Sequence, residues 1–271
     1  MKTMPEILIR GGGDLATGVA LRLHRVGFRI LITELPQPLV VRRTVAFAEA
    51  VYRGQHTVEG VTACLAKDSD QAMQILDAGQ IPVLIDPGGE SRHYFTPLII
   101  IDARMTKRSP DLGINAAPFT IGLGPGFVAG RNCHAAIETN RGHFLARVIW
   151  DGSPQANTKL PEAVDQHQAD RVLRSPDKGL FQTFVEIGQH VEAGDLIAEV
   201  EGSRILAPFA GRLRGLLHPG LPVHKGMKVG DVDPRDDDRF VVMVSEKALA
   251  LGGGVLEAIL SQENLRTNLW N

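Results

Sequence analysis

Hydrophobic positions in the first hundred residues come in short blocks, and the segments between them carry helical spacing. Ile7-Leu8-Ile9 is a compact apolar run that predicts a buried strand. It ends at Arg10 and opens into Gly11-Gly12-Gly13-Asp14-Leu15-Ala16-Thr17-Gly18. A helix is expected to continue through Val19, Leu21, Leu23 and Val26 and to stop at Gly27, a natural C-cap. A second strand, Phe28–Thr33, ends at Glu34. Two more apolar blocks, Ile81–Ile85 and Leu98–Ile101, run into Asp86 and Asp102. Helical stretches are expected around Arg42–Tyr52 and over Asp70–Ala78. Alternating strands and helices predict a mainly parallel sheet, whose ligands sit beyond the carboxyl ends of the strands. Glu34, Asp86 and Asp102 would then share one edge, where the chemistry is expected.

The glycine turn reads as G-x-G-x-x-A, with Gly11, Gly13 and Ala16 in the small positions and Gly12 and Asp14 among them. Gly11 permits the tight turn, Gly13 lets a pyrophosphate approach the backbone, and Ala16 lets the helix lie close to the strand. The turn follows a strand, opens a helix and has an acid, Glu34, about 20 residues on, where a ribose hydroxyl would bind. The competing reading is a tight turn whose glycines serve packing only, with Glu34 a solvated strand-end carboxylate. Arg42 and Arg43 would meet a phosphate or be plain surface charges.

The middle of the chain is richer in glycine. Ile121–Gly130 holds four glycines and one proline, and is expected to be an ordered loop presenting backbone amides to a ligand, with Gly124 and Gly126 at its centre. Lys107, Arg108, Arg131 and Arg141 would neutralise an anionic ligand or remain ordinary surface charges. Cys133 is a candidate soft ligand or carrier of sulfur or selenium, because a thiolate is the nucleophile such chemistry needs, or else an inert thiol. Its neighbour His134 is a poor base for it, since adjacent strand residues face opposite ways. Asp102 with Lys107 forms either an acid/base pair or, the favoured reading, a salt bridge.

The C-terminal part repeats itself at an offset of 32 residues. Pro176/Pro208, Gly179/Gly211, Gly188/Gly220, Val191/Val223, Gly194/Gly226 and Val200/Val232 coincide. These are turn and strand positions of short β elements. Two such halves resemble the barrel-sandwich hybrid of biotinyl and lipoyl carrier domains. Those carriers display a lysine on the hairpin joining the halves. Here that hairpin is Glu201-Gly202-Ser203-Arg204, and Arg204 has no primary amine to acylate, so neither biotin nor lipoate is expected. A docking or rigidifying module is expected instead.

The expected fold is therefore α/β. A Rossmann-like, mainly parallel N-terminal sheet (1–150) is followed by a linker (151–169) and a C-terminal all-β barrel-sandwich hybrid (170–244). Short C-terminal helices (245–271) close the chain, with Gly252-Gly253-Gly254 separating two of them and either holding an anion or allowing tight packing. The formal charge of −2, from 29 basic and 31 acidic residues, gives no broad basic surface for nucleic acid. No apolar run approaches the roughly 18–20 residues of a membrane span. The first residues lack an apolar signal-peptide core, and two cysteines are too few for a disulfide framework or zinc cluster, so a cytoplasmic location without a metal site is expected.

Several strings carry a resemblance along nearly the whole chain: RGGGDLATG (10–18), DARMTK (102–107), GLGPGFVAG (122–130), IETNRGH (137–143), KVGDVDPR (228–235) and LGGGVLEAIL (251–260). In these the chain resembles the selenium-dependent molybdenum hydroxylase accessory (maturation) proteins. The resemblance implies a role in maturing a xanthine dehydrogenase-type hydroxylase or supplying its cofactor, with that hydroxylase or its maturation proteins as partners. It supplies no catalytic residues. The expected ligand at the glycine turn is NAD(P) or a molybdenum cofactor or pterin nucleotide. The rival expectation is a free-standing NAD(P)-dependent oxidoreductase, although only Tyr52 and Tyr94 are present and no Tyr-x-x-x-Lys relay occurs. Whether any bond is made or broken, and whether the chain forms a homo-oligomer, stays open at this level.

Overall fold

In the computed structural model, residues 6–156 and 170–270 are described; Met1–Pro5 and most of the expected linker, 157–169, lie outside them. The chain is α/β, with one large mixed sheet, two antiparallel sheets and a few helices. It divides into two compact units. The first is drawn from Met1–Pro38, Phe47–Asn157 and Val244–Asn271, and the second from Leu39–Ala46 and Thr158–Met243. Among the described residues no helix is long and apolar enough to cross a membrane.

The first unit begins β1 (Ile7–Arg10), α1 (Asp14–Arg25), β2 (Ile30–Glu34). After two single 3-10 turns come α2 (Ala50–Arg53), β3 (Gln55–Val58), β4 (Val61–Ala66), α3 (Ser69–Asp77), β5 (Ile81–Ile85), α4 (Arg92–Phe95) and β6 (Ile99–Asp102). The short strands β7 (Phe119–Leu123), β8 (Ala135–Ile137) and β9 (Val148–Ile149) complete its sheet. The order is β3-β4-β5-β2-β1-β6-β7-β8-β9, parallel throughout except at the outermost pairs β3/β4 and β8/β9. The central strands are buried on both faces, as parallel strands are, so they read as continuous apolar runs. On one face Leu8, Leu31, Leu84 and Ile100 pack with Met73 and Leu76 of α3 and with Phe95 of α4.

Two local expectations are corrected. The helix foreseen around Arg42–Tyr52 is instead the 3-10 turns Arg43–Val45 and Phe47–Glu49 followed by one turn of α2. β-branched and aromatic residues there are held by tertiary contacts, and Phe47 is fully buried. The loop foreseen over Ile121–Gly130 begins as strand: Gly122 is in β7, and its missing side chain makes room for the Phe127 ring.

The second unit contains β10 (Val172–Arg174), β11 (Gly179–Thr183), β12 (His190–Val191), β13 (Leu196–Val200), β14 (Ser203–Leu206), β15 (Gly211–Leu216), β16 (Pro222–Val223), β17 (Lys228–Asp233) and α5 (Arg239–Val242). Its sheets run β10-β17-β15-β12 and β14-β13-β11-β16. Shifting every strand by half the set of eight converts one order into the other, so the repeat seen in the sequence is a repeat of structure. The backbone bonds obey the same exchange. Gly188 N–H donates to Leu213 C=O (2.8 Å) as Gly220 N–H donates to Phe181 C=O (2.7 Å). Gly194 N–H donates to Ala207 C=O as Gly226 N–H donates to Ser175 C=O, both at 2.8 Å. The repeated valines, Val191, Val223, Val200 and Val232, are all core. Arg42 donates to the carbonyls of Phe240 and Met243, and Arg43 to that of Leu216, so both arginines hold this unit together.

The chain then returns to the first unit as α6 (Glu246–Leu260) and α7 (Glu263–Trp270). Gly252-Gly253-Gly254 lies inside α6 and does not separate two helices. A Cβ on Gly18 of α1 would stand 2.5 Å from Ala248 Cβ and 2.6 Å from its carbonyl carbon, and one on Gly252 would stand 2.9 Å from Gly18 O. These glycines let the two helix backbones touch. Packing outweighs their poor helix propensity.

Candidate functional site

The parallel register brings the ends of β1, β2, β5 and β6 to one edge: Arg10 pairs with Thr33 and Asp102, and Glu34 with Ile85. Glu34, Asp86 and Asp102 all stand at this edge, and each is engaged by the protein itself. Asp86 accepts the N–H groups of Glu90 (2.9 Å) and Ser91 (2.8 Å), closing the turn after β5. Burial alone would raise its pKa, but bonds from the Ser91 side chain and the Ser91, Glu90 and Gly89 amides outweigh burial and lower it.

Glu34 is nearly buried. Its carboxylate accepts the Gly12 N–H at 2.9 Å and the Leu35 N–H at 2.6 Å. Desolvation raises its pKa, against the pull of those amides and of Arg104. The glycine turn is covered from two further sides. Gly12 C=O accepts the Ala48 N–H at 2.8 Å, and a Cβ on Gly12 would stand 2.8 Å from that nitrogen. Thr17 Oγ1 accepts the Phe47 N–H and donates to Gly13 C=O, both at 2.9 Å, which fastens this cover. Gly11, at φ +90°, has Arg104 across it, with Cγ 3.2 Å and Cα 3.3 Å from where its Cβ would be. Gly11 N–H is spent on Thr33 C=O. Gly13 is the N-cap of α1, Asp14 opens its first turn, and Ala16 is buried beneath it. The spacing foreseen for a pyrophosphate thus serves close approach of Arg104, Ala48 and Glu34.

A dense charge constellation lies beside this turn. Arg10 is 1% exposed, an unusual burial for a guanidinium. Arg10 and Arg104 grip the Asp111 carboxylate from two sides. One oxygen lies 2.5 Å from Arg10 Nη1 and 2.6 Å from Arg104 Nη2; the other lies 3.1 Å from Arg10 Nη2 and 3.2 Å from Arg104 Nη1. Asp102 holds Arg104 from behind at 2.6 and 3.0 Å, and Pro87 C=O holds Arg10 at 2.9 Å. The Arg10 Nε is buried and makes no hydrogen bond. Bonds from Arg10 first, and then from Arg104, hold the Asp111 carboxyl far below its ordinary range, with burial opposing. Asp102 and Asp111 raise the Arg104 pKa further although burial opposes them. Asp111 itself remains half exposed, on the irregular segment between β6 and β7. A small cavity lies alongside, lined by Arg10, Asp102, Leu112, Thr120, Phe127 and Cys133 among others.

The remaining expected residues fall elsewhere or serve structure. Asp102 pairs with Arg104 and Arg10, not with Lys107, which is exposed at φ +60°. Cys133 borders the cavity but is buried, and burial pushes its thiol up to about 11 despite bonds from the Gly122 and Val128 amides. His134 turns to Thr120, whose N–H it accepts at 3.0 Å through Nδ1. Gly124 makes room for Thr139, and Gly126 for the Arg108 carbonyl. Arg141 pairs with Glu246 at 2.7 Å. Among the described residues no three His, Cys, Asp or Glu side chains gather as a metal site. Arg10, Arg104 and Asp111 were missed. The signal for Arg10 was a charge ending a wholly apolar strand; Asp111, in a polar loop, gave none.

No protein-family model matches the chain. A protein of Escherichia coli (strain K12) described as the uncharacterized protein YqeB is 48% identical over 254 residues, which is 94% of this chain and 47% of that one. The chain therefore spans about half the length of the curated relative it matches. Among solved structures, an aspartoacylase family protein from Mesorhizobium loti aligns over 86% of this chain and 87% of its own, at 14% identity and a TM-score of 0.29. A succinylglutamate desuccinylase/aspartoacylase from Rhodobacter sphaeroides aligns over 87% of both chains, at 15% identity and a TM-score of 0.27. Similarity at that level carries no argument about this chain.

These findings correct the expected identity. No family model matches, and the curated relative is described only as uncharacterized. Neither membership among selenium-dependent molybdenum hydroxylase accessory proteins nor a free-standing NAD(P)-dependent oxidoreductase stands. The nucleotide-binding assignment falls with them, and its physical counter-evidence is local: Glu34, Ala48 and Arg104 occupy the approaches to the glycine turn.

Proposed function

We propose that the first unit binds a small molecule bearing a carboxylate, at the edge formed by the ends of β1 and β6. The observation that carries this reading is the double guanidinium grip: Arg10 and Arg104 together place four N–H groups around one planar carboxylate, that of Asp111. Bidentate guanidinium–carboxylate pairing is the geometry in which arginine outperforms lysine, and burial strengthens it. A position beyond the carboxyl ends of parallel strands is also where α/β sheets receive ligands. The small cavity beside the clamp has an apolar wall, Leu112 and Phe127.

The test is calorimetric titration of the full chain with malonate, the simplest dicarboxylate, against Arg104→Met. Saturable binding by the wild type that the substitution weakens at least tenfold is expected; equal binding by both proteins contradicts the reading.

For the second unit we infer a barrel-sandwich hybrid. The interchangeable strand orders, the reciprocal glycine bonds and the shared valine core support that assignment. At the turn joining the two halves, Glu201 (φ +49°) and Gly202 (φ +78°) both have positive φ, as a tight two-residue hairpin requires. Arg204 follows where carriers of that fold present lysine, so this unit serves rigidity or docking rather than transport of an acyl or carboxyl group.

A further inference from the structure

We infer that Asp111 is an internal stand-in for the ligand, which enters by displacing it. This rests on the carboxylate-binding reading above and assigns that site its regulation. Asp111 differs from the other three charges of the constellation in two respects. Arg10, Asp102 and Arg104 end or directly follow sheet strands and are largely withdrawn from water, whereas the Asp111 side chain is 53% exposed. Asp111 also lies on the irregular connection between Asp102 and Ile114, which crosses the left-handed region at Met105 (φ +55°) and Lys107 (φ +60°). Such conformations in non-glycine residues persist only where surrounding contacts enforce them. The contacts at hand are the grip on Asp111 and the seating of the Arg108 carbonyl in the space left by Gly126.

Charge balance points the same way. Arg10 and Arg104 face Asp102 and Asp111 and sum to zero, with the Glu34 carboxylate bearing on Arg104 from the glycine turn. Asp102 cannot leave, because it ends β6 and is bonded to its own strand's continuation at Arg104 N–H. The exposed carboxylate on the loop is the one that an incoming carboxylate replaces with like charge and like geometry. Exchange of one anion for another leaves no buried guanidinium unpaired at either end of the process, which is what a reversible gate requires. Affinity for the ligand is thereby lowered by the competition and the loop reports occupancy by coming free.

The experiment is hydrogen–deuterium exchange of residues 103–113 in the full-length protein with and without malonate, together with malonate titration of Asp111→Asn. A ligand that merely adds to a site slows exchange around it, whereas displacement speeds exchange in this segment. Faster exchange at saturating malonate in the wild type, with at least tenfold tighter binding by Asp111→Asn, is the expected result. Bound malonate with unchanged or slowed exchange overturns the displacement and leaves the carboxylate site standing, as does binding by Asp111→Asn no tighter than wild type. Absence of malonate binding by both proteins overturns the site itself and the displacement with it. Should Asp111→Asn fail to fold, the wild-type exchange measurement decides alone.

Discussion

The Glu34 carboxylate accepts the Gly12 N–H at 2.9 Å, so the acid at the end of the second strand and the glycine turn after the first complete each other. The turn is close-packed because its neighbours are backbone: Ala48 N lies 2.8 Å from any Cβ placed on Gly12. Gly12→Ala is expected to cost about 1–3 kcal/mol, the usual penalty of overpacking, and to leave malonate affinity unchanged. Urea midpoints and calorimetry check both halves; wild-type stability in the alanine variant would mean that the Ala48 contact yields freely.

The glycine run of α6 gives a paired prediction. Gly253 is exposed with open space around its missing side chain, so Gly253→Ala should stabilise the protein by about 0.5–1 kcal/mol through helix propensity. Gly18→Ala meets the Ala248 carbonyl at 2.7 Å and must push α6 away, so it should destabilise despite the same gain in propensity. Denaturation midpoints of opposite sign are the expected outcome. Two stabilising substitutions would show that the helices are not in close contact.

This pair also explains what the sequence disclosed and what it hid. The strands β1, β2, β5 and β6 were legible because burial on both faces makes them unbroken apolar runs, and the repeat in the second unit because its glycines and valines recur at fixed turn and core positions. Gly252-Gly253-Gly254 was read as a break between helices because propensity is local, while the contact with Gly18 that keeps them helical is some 230 residues away in sequence. The edge at Glu34, Asp86 and Asp102 followed from the strand ends. The grip on Asp111 did not, since it joins residues 101 positions apart and its carboxylate comes from an irregular loop.

Acidity separates Asp111 from Glu34. The folded Asp111 carboxyl is more acidic than its ordinary value of 3.8, first through Arg10 and then Arg104. Its contribution to stability is present above the unfolded pKa and is lost as pH falls below it toward the folded one. Asp111→Asn should therefore be less stable than wild type at pH 7, with the gap closing as pH falls below 3.8. A gap that stays constant down to pH 2 would contradict this. Glu34 has the opposite sign: burial raises its pKa, so its contribution is complete at low pH and declines as pH rises through the folded value.

Thiol reactivity should follow burial. Cys133 is 1% exposed and its thiol is pushed up to about 11, while Cys64 is only partly buried and donates to Gln80 Oε1 at 3.4 Å. Iodoacetamide at pH 8 should label Cys64 in the folded protein and reach Cys133 only on unfolding. Rapid native labelling of Cys133, read by peptide mass spectrometry, would reveal an opening of the cavity that the structure lacks.

The most direct measurement is a crystal structure of the full chain grown with malonate. One malonate carboxylate should lie between the Arg10 and Arg104 guanidinium groups, where Asp111 now sits, with Asp111 turned out to solvent. Malonate bound elsewhere, or absent while Asp111 keeps its place, would contradict an arginine-clamped carboxylate site at this edge of the sheet.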